Sequence, residues 1–547
     1  MKILSFVVIL TIGTSKVFAG AGIATAHSLA TEAGISMLQM GGNAFDAAVA
    51  ISSTLAVVEP GSSGMGGGGF WLLYDAAKRQ SIMLDGREKA PLQASRDMYL
   101  DDKGDVIERL SIDGPLSAGI PGQPAALVWL AENYGSLPMN VLLEPSINAA
   151  QRGFEVSDRF QSKISRRKVQ LEKYPSAAEI FLNGGNIPKV GELLVQEDLA
   201  NVLQALAERG HDGFYAGPVA ETLVKGVQEA GGIWTIEDFN QYEVAVRVPV
   251  TFTYRNMKIT TAALPSSGGI VLAEALNILE NYDISKLDGA DLIHVVVEAA
   301  RRAYRDRAEY LGDPDFVSVP VDMLISKNYA SGLNQSIRMD TATKSDELAP
   351  ITVTTGEGGN TTHFSVIDSD NNMVAATLSI NYLFGSGFIP PNTGVLLNNE
   401  MDDFSLRPGS PNVYGLVGSD ANSIEAGKRM LSSMTPTFIE DDQRIAILGA
   451  PGGSRIITMV LLGILEFEKG ADAKSIVSRP RFHHQYMPDM IQFEINAPDE
   501  DVLSALEGRG HQFKILDRTW GNMQTVILNK SSGTVTAASD PRGEGTS

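Results

Sequence analysis

The sequence predicts a mixed α+β fold around a large core, on three observations. Segments of helical period cover residues 28–58 and much of 121–152, 197–231, 268–282 and 290–311. Runs of strand character fall between and after them, at Phe70–Tyr74, Ser81–Leu84, 248–262, 363–380 and 435–449. The 547 residues are 44% hydrophobic and 20% charged, so a large core can be buried. Length alone suggests three or four domains.

Taken in order, residues 1–19 read as a secretory leader. Met1-Lys2 make a short basic start, Ile3–Thr14 an apolar stretch too short to anchor in a bilayer, and cleavage is expected after Ala19. Residues 28–58 are Ala-rich and break at Gly41-Gly42, which predicts two helices. Gly64–Gly69 fits G-x-G-x-x-G, but a strand follows where a dinucleotide site requires a helix, so these glycines are read as close backbone packing. Residues 336–359 are polar and Thr/Gly-rich and predict an exposed linker. A hairpin follows, with strands at His363–Ile367 and Met373–Ile380 around a turn at Asp368–Asn372. A strand pair around 435–449 and a helix from Ser454 complete the reading, and no repeat of solenoid period is present.

Charge and composition exclude several classes. The formal charge is −21, and removing Lys2 and Lys16 with the leader makes it −23, the wrong sign for a nucleic-acid partner. The basic run Glu298–Arg307 is interleaved with acids, Glu298/Arg302 and Arg305/Glu309 standing four apart, so it predicts a solvated or structural helix face. The absence of cysteine excludes disulfides, thiolate metal sites and a cysteine nucleophile. His483-His484 are adjacent and make a poor metal pair, and no H-E-x-x-H, phosphate-binding G-x-x-x-x-G-K-[ST] or G-x-S-x-G is present. Neither a metal nor a cofactor is expected. No run after the leader reaches membrane-spanning length, so no membrane anchor is expected either.

The most informative stretch is Asn360-Thr361-Thr362-His363-Phe364-Ser365-Val366. A threonine opening an apolar alternation after a small polar residue can attack the carbonyl of Asn360, giving an ester that hydrolyses. Thr361 then becomes a new N-terminus whose own α-amine, titrating near ~8, can serve as its base. By itself the tetrapeptide also fits a loop asparagine before a strand, or a glycosylation sequon.

Further motifs accompany it: Asp85-Gly86-Arg87-Glu88-Lys89-Ala90-Pro91, the stretch 361–405, Leu431-Ser432-Ser433-Met434-Thr435-Pro436, and Gly449-Ala450-Pro451-Gly452-Gly453-Ser454-Arg455. In this order and spacing, from about Gly20 to about Arg542, they resemble the bacterial γ-glutamyltranspeptidases. The resemblance implies the four-layer αββα sandwich of the N-terminal nucleophile hydrolases, cut from one precursor. A large subunit (20–360) and a small subunit (361–547) would stay together as a heterodimer in the periplasm or outside the cell.

The resemblance also assigns roles. Thr361 would be both the processing and the catalytic nucleophile, forming a γ-glutamyl ester. Ser379, where relatives often carry threonine, would orient the new α-amine, and the Thr362 hydroxyl would help hold Thr361. Arg87, Ser432 and Ser433 would take the substrate α-carboxylate, a role that suits a guanidinium fork. Asn381, Glu400 and Asp403 would take the α-ammonium; at Glu400 some bacterial relatives carry glutamine. Asp402 beside them reads as a solvated charge. The N–H groups of Gly452 and Gly453 would face the developing oxyanion. Tyr414 would gate a Gly/Pro/Ser/Asn-rich lid between Phe404 and Leu431. Small molecules would be the partners, namely glutathione and other γ-glutamyl compounds, with water or an amino acid or peptide amine as acceptor. The alternatives are an acylase of the same scaffold acting on glutaryl or β-lactam side chains, a poly-γ-glutamate transferase, and a non-catalytic periplasmic binding protein.

Overall fold

The computed structural model describes residues 20–287, 289–348, 360–496 and 498–547. Residues 1–19, read as a leader, and 349–359 of the expected linker lie outside the described residues.

Two six-stranded antiparallel sheets stack face to face. The first contains β1 (Gly22–Ala24), β2 (Gly68–Asp75), β3 (Gln80–Gly86) and β4 (Ala245–Arg247). The second begins with β5 (Val250–Tyr254) and β6 (Met257–Thr261). The predicted hairpin supplies β7 (Thr362–Ile367) and β8 (Met373–Ser379) to the first sheet. The second is completed by β9 (Thr437–Glu440), β10 (Arg444–Gly449), β11 (Gln524–Asn529) and β12 (Val535–Ser539). The spatial orders are β1-β7-β8-β2-β3-β4 and β12-β11-β10-β9-β6-β5.

The period-two pattern sorts side chains between layers. Phe70 and Leu72 join the core between the sheets, whereas Trp71 and Leu73 join the core beneath the helices of the first sheet. α1 (Ser28–Gln39) and α2 (Ala44–Val58) lie on that outer face. They part at Gly41, whose φ of +88° a residue with a side chain rarely adopts, and Asn43 and Asp46 form a reciprocal cap on α2. On the far side, α3 (Gly268–Leu279), α4 (Gly289–Tyr310) and α5 (Arg455–Glu468) cover the second sheet. The architecture is therefore the expected αββα sandwich.

Several local expectations are refined. The helical stretch 121–152 is three helices, with a break at Gly135–Pro138, and 197–231 is also three. The basic run on α4 is not solvated. Glu298 holds Arg302 at 2.7 Å with both side chains inaccessible, and Arg305 turns to Asp306 rather than Glu309. Within the expected linker, Ser345–Leu348 forms a helical turn, tied down by Asp489 and by Glu298 through Thr343.

The glycine run before β2 is close packing, as read. A Cβ on Gly66 would stand 2.1 Å from the Leu396 carbonyl oxygen, and one on Gly67 would stand 2.2 Å from that of Ser379. The obstacles are backbone, so they cannot rotate away. Gly66→Ala is expected to destabilise the fold by roughly 1–3 kcal/mol, read as a lower midpoint in denaturant or thermal unfolding.

Candidate active site

Thr361 immediately precedes β7, at the end of the ladder with β8. Leu378 pairs with Thr362, so continuing the register by one residue sets Ser379 opposite Thr361. The Thr361 Oγ1 donates a 2.7 Å hydrogen bond to the carbonyl oxygen of Asn360, so the hydroxyl already lies against the bond it is expected to cut. Thr362 is fully buried, and its hydroxyl has no hydrogen-bond partner among the described residues, so it does not hold Thr361 in this state.

Two cavities open on Thr361. The inner one, about 20 Å³, is lined by Thr361, Arg87, Ser379, Asn381, Glu400, Asp403, Tyr414, Ser432, Ser433 and Gly453. Residues from four distant segments are thus brought to one place. Gly452 lines the outer chamber, which is far larger at about 390 Å³.

Charge dominates the inner cavity. Arg87 leaves the end of β3 and is 1% exposed. Its guanidinium meets Glu400 at 2.5 Å and Asp403 at 2.6 Å, with Glu88 at 3.5 Å. The residues expected to take the substrate's two opposite charges are therefore paired with each other in the free site. Burial opposes the charge on Arg87, but Glu400, Glu88 and Asp403 outweigh it and hold its pKa above the ordinary value. Burial pushes Glu400 up, Arg87 counteracts this and Asp403 adds to it. Burial pushes the pKa of Glu88 well up and Glu400 adds to it, and neither carboxyl oxygen has a hydrogen bond among the described residues. Three carboxylates crowd one guanidinium in a dry site, so burial and their mutual repulsion oppose full ionisation of the group.

The segment expected to act as a lid packs against the inner cavity. Tyr414 is buried, and its hydroxyl donates to the Asn381 carbonyl at 2.7 Å. A Cβ on Gly453, whose φ is +59°, would strike the Tyr414 ring at 2.5 Å, so that glycine lets the ring pack there. Asp402, read as a solvated charge, is buried instead. It accepts from the Val413 N–H at 2.8 Å and from Ser111 at 2.7 Å, and burial raises its pKa to about 7. Asn412, not singled out from the sequence, bridges the lid to the site: its amide donates to Asp403 at 2.9 Å while its oxygen accepts from the Tyr414 and Leu416 N–H groups. Its signal was an asparagine two residues before an expected gate.

The remaining residues are placed as follows. The Ser379 hydroxyl accepts from the Asn381 N–H at 2.7 Å, and Asn381 itself, with φ +68°, donates through its amide to the Asn399 carbonyl. Ser433 accepts from Arg307, a buried cation on α4 whose pKa burial lowers to about 10. Arg307 gives the serine pair a second guanidinium that the sequence reading missed. Among the described residues no hydrogen bond uses the N–H of Gly452 or Gly453, so both donors remain for an oxyanion. Away from the site, His294, Glu298 and His511 cluster closely. The two histidines bond each other at 2.7 Å and Glu298 is occupied by Arg302 and Thr343, so side chains already satisfy the group.

Comparison with known proteins agrees with this geometry. Residues 30–547 match the family model described as Gamma-glutamyltranspeptidase. A glutathione hydrolase proenzyme of Escherichia coli is 40% identical over 525 residues, covering 95% of this chain and 90% of the relative. The γ-glutamyltranspeptidase of Helicobacter pylori is 43% identical over 59% of this chain and 94% of its own, with a TM-score of 0.58. A cephalosporin acylase from Bacillus halodurans aligns at 26% identity over 97% of this chain and 95% of its own, with a TM-score of 0.84. With Thr361, Arg87, the serine pair and Gly453 converging on one cavity, this chain belongs to the γ-glutamyltranspeptidase family.

Proposed function

We propose that the protein is an exported, self-processing γ-glutamyltransferase and glutathione hydrolase with Thr361 as nucleophile. The observation that carries the reading is one closed cavity that offers a guanidinium and several carboxylates within reach of a threonine hydroxyl. Those are the complements of an α-carboxylate, an α-ammonium and a γ-carbonyl.

In processing, Thr361 Oγ1 attacks the Asn360 carbonyl carbon, the acyl group moves from nitrogen to oxygen, and water releases it. Subunits 20–360 and 361–547 result, and Thr361 acquires a free α-amine. In turnover the hydroxyl passes its proton to that amine while attacking the γ-carbonyl. The N–H groups of Gly452 and Gly453 take the oxyanion, and the α-amine returns the proton to the departing nitrogen. Water or a second amine then attacks the ester, gives its proton to the α-amine, and Oγ1 recovers it. Ser379, opposite Thr361 in the ladder, orients the amine.

Binding is an exchange of ion pairs. The substrate α-carboxylate takes Arg87 from Glu400 and Asp403, which turn to the α-ammonium, so no charge is left buried alone. Tyr414 must move to admit a glutamyl group, because the closed cavity is too small. Export rests on the leader at 1–19; among the described residues no helix is long and apolar enough to cross a membrane.

The likeness to a cephalosporin acylase supports a second reading, an acylase for glutaryl-type side chains. Such a substrate lacks the α-ammonium and would leave Glu400 and Asp403 without a role.

Two outcomes test the proposal. γ-Glutamyl-p-nitroanilide should exceed glutaryl-p-nitroanilide in kcat/KM by at least ~100-fold, since the two differ only in the ammonium group that the site is built to bind; equal rates would favour the acylase. The second concerns pH. Glu400 has its pKa raised from 4.5 to about 7, so it gains a proton as pH falls through that window and loses its hold on an ammonium. The inhibition constant of L-glutamate should therefore rise by roughly tenfold or more between neutral pH and the ordinary carboxylate range. In Glu400→Gln it should be weaker at neutral pH and flat across the window.

A further inference from the structure

Among the described residues, Thr361 alone lines both the inner cavity and the outer chamber. Whatever leaves the acyl group, or attacks it, must occupy that chamber. Among the described residues its wall carries seven cationic side chains and one carboxylate, Glu59, in a chain whose formal charge is −21. Four of the cations come from a single helix, Asp158–Leu171, at positions 159, 163, 166 and 167. That spacing places them on one helical face.

Most of these charges are accounted for. Lys163 meets Glu59 at 3.4 Å, Arg167 meets Asp113 at 2.9 Å, and Arg542 meets Glu494 at 2.8 Å. Arg455 bonds to Gln492. Three are not: Arg159, Arg166 and Arg518 make no ion pair among the described residues. Arg159 only donates to the carbonyl of Arg542, and Arg166 and Arg518 are exposed to the chamber. Partial burial lowers the pKa of Arg166, and the neighbouring charges of Arg518 and Arg159 lower it further. These cations repel one another, and among the described residues no carboxylate pairs with them directly, Glu59 acting on Arg159 only at longer range.

Resting on the γ-glutamyl-transfer reading, we propose that this chamber is the acceptor and leaving-group site, and that Arg159, Arg166 and Arg518 select amines bearing two or more carboxylates, such as peptides ending in glutamate or aspartate. One carboxylate would leave two like charges facing each other; two leave a single positive charge, and three neutralise the cluster. The transfer step is the ordinary one. The acceptor nitrogen attacks the Thr361 ester carbon, its proton passes to the Thr361 α-amine, the ester C–O bond breaks, and Oγ1 takes the proton back. Specificity arises because the carboxylates set the acceptor nitrogen facing Thr361.

The test is transfer from γ-glutamyl-p-nitroanilide to three dipeptide acceptors that differ in carboxylate count: Gly-Gly amide (none), Gly-Gly (one) and Gly-Glu (two). Acceptor kcat/KM should rise in that order, Gly-Glu exceeding the amide by roughly fivefold or more, as two exposed Arg–carboxylate pairs allow. In about 1 M salt, where the screening length is ~3 Å, the order should collapse. In the doubly substituted Arg166→Gln/Arg518→Gln enzyme it should collapse at low salt as well. The readout is a ratio within each protein, so any change in donor handling cancels. Equal use of the three acceptors by the unmodified enzyme, with donor cleavage intact, overturns the chamber proposal alone. Persistence of the order in the double variant overturns the assignment to these residues. Failure to cleave the donor at all overturns the γ-glutamyl reading and this proposal with it.

Discussion

A single buried guanidinium organises the site. Arg87 is held among Glu88, Glu400 and Asp403 with almost no access to water, an arrangement stable only because the charges compensate one another. Removing Arg87 would strand the three carboxylates. Under the proposed function a zwitterion would enter by exchanging partners with this cluster, whereas a ligand with one charge would leave an uncompensated group behind, and selectivity would follow from the cost of burying an unpaired ion.

The lid and the strands serve this cluster. Asn412 and Asp402 tie the lid segment to Asp403 and to Ser111, so closure of Tyr414 and placement of the acid cluster are mechanically one event. The β7–β8 register carries Ser379 to Thr361, and the glycines before β2 let the irregular segment carrying Leu396 approach closely, four residues before Glu400. Thr361, the proposed nucleophile, then sits at a junction, with a small acid-rich cavity on one hand and a broad basic chamber on the other.

Much of this was legible in the sequence, and the physical reasons separate what was from what was not. The hairpin at Thr362–Ser379 and the break at Gly41 announce themselves through local alternation and backbone freedom. Arg87, Glu400, Asp403, Ser432, Ser433 and the glycine pair were singled out because their motifs resemble a known family; the fold brings all but Gly452 to one cavity, and Gly452 to the neighbouring chamber. Strands β11 and β12 went unread: β11 depends on β10, over seventy residues away in the chain, and β12 is a short edge strand that pairs with β11 alone. Arg301 and Arg302 read as a solvated or structural face because helical spacing cannot show whether another layer covers them, and the structure shows the buried, structural one. Arg307 and Asn412 act across tertiary contacts, with no motif of their own. The cationic face at 159–167 was visible as spacing, but its meaning required knowing that it faces Thr361.

The most direct measurement is the intact mass and N-terminal sequence of the purified protein. Two chains, the smaller one beginning at Thr361, are expected if its hydroxyl cleaves the bond to Asn360 and its amine then drives turnover. A single active chain running through residue 361, or a cut at any other bond, would contradict a nucleophile at Thr361.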